Sequence, residues 1–350
     1  MEGMELSRRY FFELALPLLR THLPQIADRC AAGLCAGGLD AGCGSEVYGY
    51  DDALSRDHNW GPRFFLFLNE EDYTAYAPTV RAVLERGLPV EFDGYSIHAT
   101  TAQATHFHVT TPRRNALAAL GTRELPVTDA QWFAIPEAKL CEYSAGMVYH
   151  DPIGMVEPWK RRYAIYPHNV RCKRLAGAFF MTHAAGNALR CAQRGEWTSC
   201  RAYLDAAVGA AQRAAILLSG RYPPHVKWRA RAFRALPHLP EGWASAMERV
   251  ALRLDPETLR EDITALLLPL GEMANASGLI EPQPILTENP FLSFNAYGFS
   301  AAFEGKVQGE LAGRPLAIAL DQMAEGYMPM TSQALEAHWL AGRPGISLLL

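Results

Sequence analysis

Hydrophobic and polar positions follow two kinds of pattern along this chain, and the pattern changes near the middle. In the first half, short apolar runs of strand length alternate with stretches whose apolar residues recur at helical spacing. Residues 126–150 mix turns with short helices. Strands are predicted at 29–38, 64–68, 89–99 and 106–111, and helices at 6–24 and 71–86.

From about residue 171 the pattern becomes helical throughout, and short loops join the helices as antiparallel packing requires. The helices are predicted at 173–194, 196–219, 225–235, 241–253 and 256–277, with a further one near 331–341. The fold class is therefore expected to be α+β, with a mixed sheet and helices followed by a helical bundle. The predicted division is an α/β domain at 1–160, a helical domain at 161–280 and a C-terminal extension at 281–350.

Composition narrows the function classes. The chain has 350 residues, 49% of them hydrophobic and 20% charged, as in ordinary globular proteins. Its net charge of −4 provides no general field for a polyanion, so no stable DNA binding is expected. No apolar run reaches the roughly 18 residues that a membrane span needs, so no membrane partner is expected. The acidic residues Glu2, Glu5 and Glu13 favour an amphipathic first helix over a signal peptide.

The cysteines indicate the compartment. Seven are present, at positions 30, 35, 43, 141, 172, 191 and 200, and no two of them form a CxxC pair. Their spacing matches no zinc template, and an odd number does not suit a disulfide framework. Small buried thiols in a reducing compartment explain them better, so we expect the protein to be cytoplasmic.

The segment Gly44–Arg63, GSEVYGYDDALSRDHNWGPR, carries the most chemistry. A glycine-serine turn after a strand presents backbone N–H groups and a hydroxyl, which together can hold a phosphate. An acidic residue about a dozen positions later, near the next strand, can hold Mg²⁺ against the same phosphate. This order of residues predicts a metal-dependent nucleotide site.

The same segment resembles the signature of the DNA polymerase β-type nucleotidyltransferase superfamily, in which Gly-Ser is followed, after about ten residues, by two carboxylates. More closely, the chain resembles a nucleotidyltransferase-like family, the domain of unknown function 4037. The likeness continues through LPVEFDGYSIHA, WFAIPEAKLCEYSAGMVYHDPIG, YAIYPHNV and RYPPHVKW, and so covers roughly residues 30–235.

The resemblance assigns roles residue by residue. Gly44 and Ser45 take the phosphate-turn positions, and Asp57 takes the first metal-binding carboxylate and a catalytic role. The position of the second carboxylate is occupied by Asn59, whose side-chain oxygen can bind a metal but carries no charge. The residues that can substitute for it are Asp51, Asp52 and Glu46.

A third carboxylate comes from a later neighbouring strand in the superfamily. Glu91 and Asp93 are the candidates, because both lie on one face of the predicted extended segment. We favour Glu91, with a role as the catalytic base.

Turn formation is the alternative explanation for these acids. Asp51 and Asp52 are common turn residues, and Asp57 can cap local backbone. For any single acid this explanation is as good as a metal role. Turn formation does not, however, require Gly-Ser and four acids together, so the whole string favours the metal site.

Three cations are predicted to contact the nucleotide: Arg63 at the end of the string, Lys160 in the cluster Trp159–Arg162, and Lys227 beside Trp228. A solvated face explains the Lys160 cluster equally well, and packing at a helix start explains Lys227.

The sequence therefore predicts transfer of a nucleoside monophosphate from an NTP to an acceptor, with Mg²⁺ or Mn²⁺ as cofactor. We expect the acceptor to be a small molecule rather than RNA or protein. Asn59 motivates the alternative, a catalytically weakened nucleotide-binding or regulatory protein that kept the fold.

Overall fold

The structure is a computed structural model that describes residues 2–37, 44–57, 60–96, 106–252, 254–288 and 294–314, with the backbone alone at Asp57. The chain forms two compact units. The sheet unit comprises Met1–Leu125 and Lys139–Ala164, and the helical unit comprises Pro126–Ala138 and Ile165–Leu350. The division into three continuous domains stays a prediction.

A four-stranded mixed sheet forms the centre of the sheet unit. Its strands are β1 (Ala31–Leu34), β2 (Phe64–Phe67), β5 (Phe107–Thr110) and β6 (Met147–His150), in the order β5-β2-β1-β6. β1 is antiparallel to both of its neighbours, whereas β2 and β5 are parallel. The predicted strands at 29–38, 64–68 and 106–111 are confirmed, while β6 was not predicted.

Both faces of β2 are buried, which explains its unbroken apolar sequence. Phe64 and Leu66 point into a core formed with the N-terminal helices and α4. Phe65 and Phe67 point to the opposite face, where they pack with Val156. The helices of this unit are α1 (Gly3–Tyr10), a π-helical turn (Phe11–Ala15), α2 (Leu16–His22), α3 (Pro24–Ala27), α4 (Glu70–Gly87), α5 (Pro112–Leu120) and α8 (Glu157–Arg162).

The predicted extended segment at 89–99 is instead a hairpin, as far as the structure describes it. β3 (Glu91–Phe92) pairs with β4 (Tyr95–Ser96) in a separate two-stranded sheet. The turn residues Asp93 and Gly94 have φ angles of 53° and 77°, which suits an Asp-Gly hairpin turn. The expectation that Asp93 shares a strand face with Glu91 is therefore wrong, because Asp93 lies in the turn.

The helical unit bears out the helical pattern. Its helices are α6 (Asp129–Phe133), α9 (His168–Met181), α10 (Ala184–Gln193), α11 (Trp197–Leu218), α12 (Val226–Arg234), α13 (Trp243–Leu252), α14 (Leu259–Ala276) and α15 (Ala296–Glu304). The chain passes between the two units at 125/126, 138/139 and 164/165, and the second of these points lies within α7 (Glu137–Ala145). The α+β fold class is confirmed, and the predicted helix near 331–341 lies outside the described residues.

One predicted helix, 173–194, is divided in two between α9 and α10. At the break, the Thr182 hydroxyl donates to the carbonyl of Phe179 at 2.6 Å, and Nδ1 of His183 lies 2.7 Å from the carbonyl of Phe180. Side chains that bond to nearby carbonyls compete with helix continuation. The apolar periodicity continues through the break and conceals it.

Candidate functional site

The connection between β1 and β2 contains the residues that the sequence marks for chemistry. After Gly44 the chain forms a 3-10 helix at Ser45–Tyr48, and a second 3-10 helix spans Leu54–Asp57. Because β1 and β2 are adjacent antiparallel strands, the connection leaves and re-enters the sheet on neighbouring strands. Gly44, Ser45 and Asp57 therefore belong to one connection.

Asp51 attaches this connection to the start of α1. Its Oδ2 accepts a hydrogen bond from the backbone N–H of Gly3 at 2.8 Å and from Nε1 of Trp60 at 3.0 Å. A carboxylate at a helix N-terminus satisfies an amide that the helix leaves unpaired. The other oxygen, Oδ1, is buried without a hydrogen-bond partner among the described residues. Asp51 thus has a structural contact, and a metal-binding role for it stays a prediction.

Glu46 and Arg63 form a buried ion pair beneath the connection, with side-chain exposures of 2% and 7%. Burial raises the pKa of Glu46, and the neighbouring guanidinium of Arg63 opposes the shift. The carbonyl of Arg63 also accepts a hydrogen bond from the Ser7 hydroxyl at 2.5 Å. The predicted nucleotide contact of Arg63 stays a prediction, but the pair with Glu46 indicates a structural role.

Asp52 organises the backbone of the second 3-10 helix. Its Oδ1 accepts hydrogen bonds from the N–H of Leu54 at 2.9 Å and the N–H of Ser55 at 3.0 Å. This is the turn-forming geometry of an aspartate that bonds to the backbone just after it. Asp52 is therefore engaged as a turn residue, and its metal role stays a prediction.

Aromatic rings connect the end of the β1–β2 connection to the hairpin. The rings of Trp60 and Tyr95 meet edge to face with centroids 5.1 Å apart. The guanidinium of Arg56 lies 4.8 Å from the centroid of Trp60 and 5.4 Å from that of Tyr95. Glu91 pairs in register with Ser96, whereas Tyr95 pairs with Phe92, so Glu91 lies on the face of the hairpin opposite the Tyr95 ring.

The expectation that Glu91 lies on a neighbouring strand of the main sheet is wrong, because β3 pairs with β4 and the strand beside β2 is β5. The side chain of Glu91 is exposed. Its partner candidate, Asp93, forms an ion pair with Arg9 at 3.0 Å. The catalytic role of Glu91 stays a prediction.

The side chain of Asp57 and the whole of Asn59 lie outside the described residues. Within the described part of the chain, no three His, Cys, Asp or Glu side chains form a group that could hold a metal ion. The described carboxylates alone do not fit the predicted Mg²⁺ site. The prediction therefore depends on Asp57 and Asn59.

The two predicted lysines lie in different units. Lys160 is half-buried in the last turn of α8 in the sheet unit. Lys227 is exposed in α12 of the helical unit, with its Nζ 5.0 Å from the ring centroid of Trp228. Their nucleotide contacts stay predictions.

Sequence reasoning missed two contacts near these residues: the Glu46–Arg63 pair and the contact of Asp51 with Gly3. The two contacts join residues 17 and 48 positions apart, and no periodic pattern reports such a contact. The apolar surroundings of Arg63, between Pro62 and Phe64, are the only sequence signal for its burial.

No helix within the described ranges is both long and apolar enough to cross a membrane. Among solved structures, a nucleotidyltransferase-like protein from Exiguobacterium sibiricum is similar with 11% sequence identity and a TM-score of 0.33. That match covers 75% of this chain and 77% of the other. At such a TM-score the two structures share little detailed geometry, so no residue is assigned from it. No curated protein matches the sequence.

A family match covers less than half of the chain. Residues 132–229 match the family described as "Domain of unknown function (DUF4037)". The match begins in α6 and ends in α12, so the connection between β1 and β2 lies outside it. The resemblance to this family that the sequence suggests is confirmed over residues 132–229, which are similar to it.

Proposed function

We propose that the protein binds an NTP together with a divalent cation and transfers the nucleoside monophosphate to a small-molecule acceptor. One observation carries the proposal. Gly44, Ser45 and Asp57 lie in a single connection between adjacent strands, and Asp51 and Glu46 anchor that connection to α1 and β2. An anchored connection holds a phosphate turn and a metal-binding carboxylate at a fixed separation, which positioning in catalysis requires.

The residues of the connection would bind and orient the nucleotide. The N–H groups at Gly44 and Ser45 and the Ser45 hydroxyl are donors suited to phosphate oxygens. A bound Mg²⁺ ion would offset the charge of the phosphates and of Asp57. Glu91 is exposed in the hairpin, and its carboxylate would accept a proton from an acceptor hydroxyl.

A second candidate function is nucleotide binding with weak catalysis. It is favoured because two of the three acids that can substitute for Asn59 already make hydrogen bonds within the protein. Asp51 already accepts two hydrogen bonds through Oδ2, and Asp52 accepts backbone hydrogen bonds at the next turn. With both acids occupied, the neutral Asn59 leaves the second metal position short of charge.

The test is a thermal-shift matrix of nucleotides against divalent cations, with pyrophosphate release measured in parallel. We expect an NTP with Mg²⁺ or Mn²⁺ to raise the melting temperature, and Asp57→Asn to abolish that shift. Asp28→Asn is the matched control, since it removes an exposed acid of the same unit outside the connection and should leave the shift in place. Normal folding of Asp57→Asn with full nucleotide binding would remove the basis of the proposal.

Asn59→Asp separates the two candidate functions. A carboxylate binds Mg²⁺ better than a neutral amide oxygen does, so a weakened enzyme should release pyrophosphate faster after this change. An enzyme that obtains its second ligand elsewhere should be unaffected. If the parent and the variant both bind NTP and neither turns over, the protein is the binder.

A further inference from the structure

Helices α10 and α11 form a hairpin, and two cysteines lie at its closed end. α10 ends at Gln193 and α11 begins at Trp197, with Gly195 between them at a φ of 74°. Cys191 lies in the last turn of α10, and Cys200 lies in the first turn of α11. Both thiols are free in this structure, so the hairpin carries one thiol on each helix.

Hydrogen bonds of the turn connect the backbones of the two cysteines to one residue, Glu196. Its N–H donates to the carbonyl of Cys191 at 2.9 Å, and its carbonyl accepts a hydrogen bond from the N–H of Cys200 at 2.9 Å. The N–H of Arg194 donates to the same carbonyl of Cys191 at 3.1 Å. The turn therefore sets the relative position of the two cysteine backbones.

The register of each helix places its cysteine on a buried face. Seven residues make nearly two helical turns, so Cys191 lies on the face of α10 that carries the buried Ala184. Cys200 lies on the face of α11 that carries the buried Leu204 and Ala207. Since α10 and α11 pack against each other, the two thiols lie on buried faces of neighbouring helices.

The two thiols differ in exposure. Cys200 is fully buried, whereas Cys191 is half-buried and can be reached from solvent. Burial raises the pKa of the Cys200 thiol, the neighbouring Cys191 thiol adds to this shift, and Arg201 opposes it. A reagent in solution would therefore meet Cys191 first.

We propose that Cys191 and Cys200 are a redox modification site, at which a small disulfide such as oxidised glutathione produces a disulfide that joins α10 to α11. Such a bond requires Cα atoms within about 7 Å of each other. A shared turn residue and packed helices favour that separation. The site lies in the helical unit and does not depend on the proposed function.

Thiol–disulfide exchange provides a balanced route to this bond. The thiolate of Cys191 attacks one sulfur of oxidised glutathione, which forms a mixed disulfide and releases one glutathione thiolate. The thiolate of Cys200 then attacks the Cys191 sulfur, which forms the protein disulfide and releases the second glutathione. The two cysteines together lose two electrons and two protons, and one oxidised glutathione takes them up as two thiols.

The experiment treats the folded full chain with oxidised glutathione, blocks the remaining thiols with iodoacetamide and identifies the tryptic peptides by mass spectrometry without reduction. Cleavage after Arg190, Arg194 and Arg201 places the two cysteines in separate peptides, CAQR and GEWTSCR. We expect these two peptides to be joined after oxidation and to separate when dithiothreitol is added.

Two variants test the order of the two attacks. Cys200→Ser should leave glutathione attached to Cys191, because the second attack is lost. Cys191→Ser should leave the buried Cys200 thiol unmodified. Cys141→Ser, which removes a half-buried cysteine of the sheet unit, is the matched control and should form the joined peptide as the parent does.

Recovery of CAQR and GEWTSCR unjoined from the oxidised parent would overturn the site. A joined peptide that forms only after unfolding in urea would also overturn it, because the folded hairpin would then not direct the pairing. Loss of the joined peptide in Cys141→Ser would assign the pairing to a different thiol. The parent alone gives the first result, so the test stands even where a variant does not fold.

Discussion

Each unit contains a buried glutamate–arginine pair, and the two pairs differ in their surroundings. In the helical unit, Arg213 donates from Nε to Glu137 at 2.9 Å, and neither side chain leaves a buried nitrogen or oxygen without a hydrogen bond. In the sheet unit, Glu46 pairs with Arg63 but leaves Oε2 without a partner among the described residues, as Asp51 leaves Oδ1.

A second carboxylate lies near the sheet-unit pair. Burial raises the pKa of Glu46, and the charge of Asp51 adds to this shift. The charged form of Glu46 is therefore disfavoured at the base of the connection proposed to bind nucleotide.

Neutralising each glutamate tests this difference with the largest expected effect. Glu137→Gln leaves the buried Arg213 without its carboxylate and should lower the free energy of unfolding by about 3 kcal/mol or more. Burial already disfavours the charged form of Glu46, so Glu46→Gln should cost less, about 1 kcal/mol. Urea denaturation followed by far-UV circular dichroism measures both, and equal costs would mean that the two pairs are alike.

Alkaline pH should act on the sheet unit through Cys35. The unfolded thiol ionises from a pKa of 9.0, whereas the folded thiol stays protonated until about pH 11. Ionisation of the unfolded chain then favours unfolding, so the stability due to Cys35 is complete below pH 9 and is lost as pH rises to 11. The loss is up to about 3 kcal/mol.

Comparing the parent with Cys35→Ala in urea at pH 8 and pH 11 isolates this contribution, because the other groups titrate in both proteins. The gap between the two proteins should narrow or reverse at pH 11. A gap that stays constant with pH would show that Cys35 ionises normally.

The stability cost of replacing a close-packed glycine should also differ between the units, by a smaller amount. A Cβ at Gly33 in β1 would lie 2.4 Å from the backbone oxygen of Met147, so Gly33→Ala must displace β6 and should cost about 2–3 kcal/mol. A Cβ at Gly271 in α14 would lie 2.5 Å from a methyl group of Ile285, which can rotate away. The gain in helix propensity offsets part of that cost, so Gly271→Ala should change stability by less than about 1 kcal/mol. Thermal melts of the two variants measure whether a new Cβ destabilises the protein more when it meets backbone than when it meets a side chain.

The local pattern of hydrophobic residues was sufficient to predict the helices and strands that have one clear hydrophobic period. The run at 64–68 became β2 because both of its faces are buried, and α11 and α14 follow their apolar repeats closely. The sequence Met147–His150 has no such period, and it forms β6 because it pairs with β1 across more than a hundred positions. Pairing over that distance leaves no trace in a local pattern.

The candidate site, like the fold, was predictable from the sequence only where local residue order carries the information. Gly44, Ser45 and Asp57 were predicted because their order along the chain matches a known chemistry, and their roles stay predictions. The anchors of that connection depend on tertiary contacts that residue order does not encode. Asp93 was misplaced because an Asp-Gly turn interrupts an otherwise extended sequence.

Because the chain passes back and forth between the two units, fragments made by cutting it once do not contain complete units. Residues 126–138 belong to the helical unit although 139–164 return to the sheet unit. Arg174 is fully buried and donates to the carbonyls of Phe133 and Ile135 at 2.6 Å and 3.2 Å, and Arg213 depends on Glu137. A cut at 160/161 would leave these arginines in one polypeptide and their acceptors in the other, so neither piece is an autonomous folding module. Co-expressed pieces should instead reassociate through these buried arginine contacts, and the segment at 132–229 alone would carry only part of each unit.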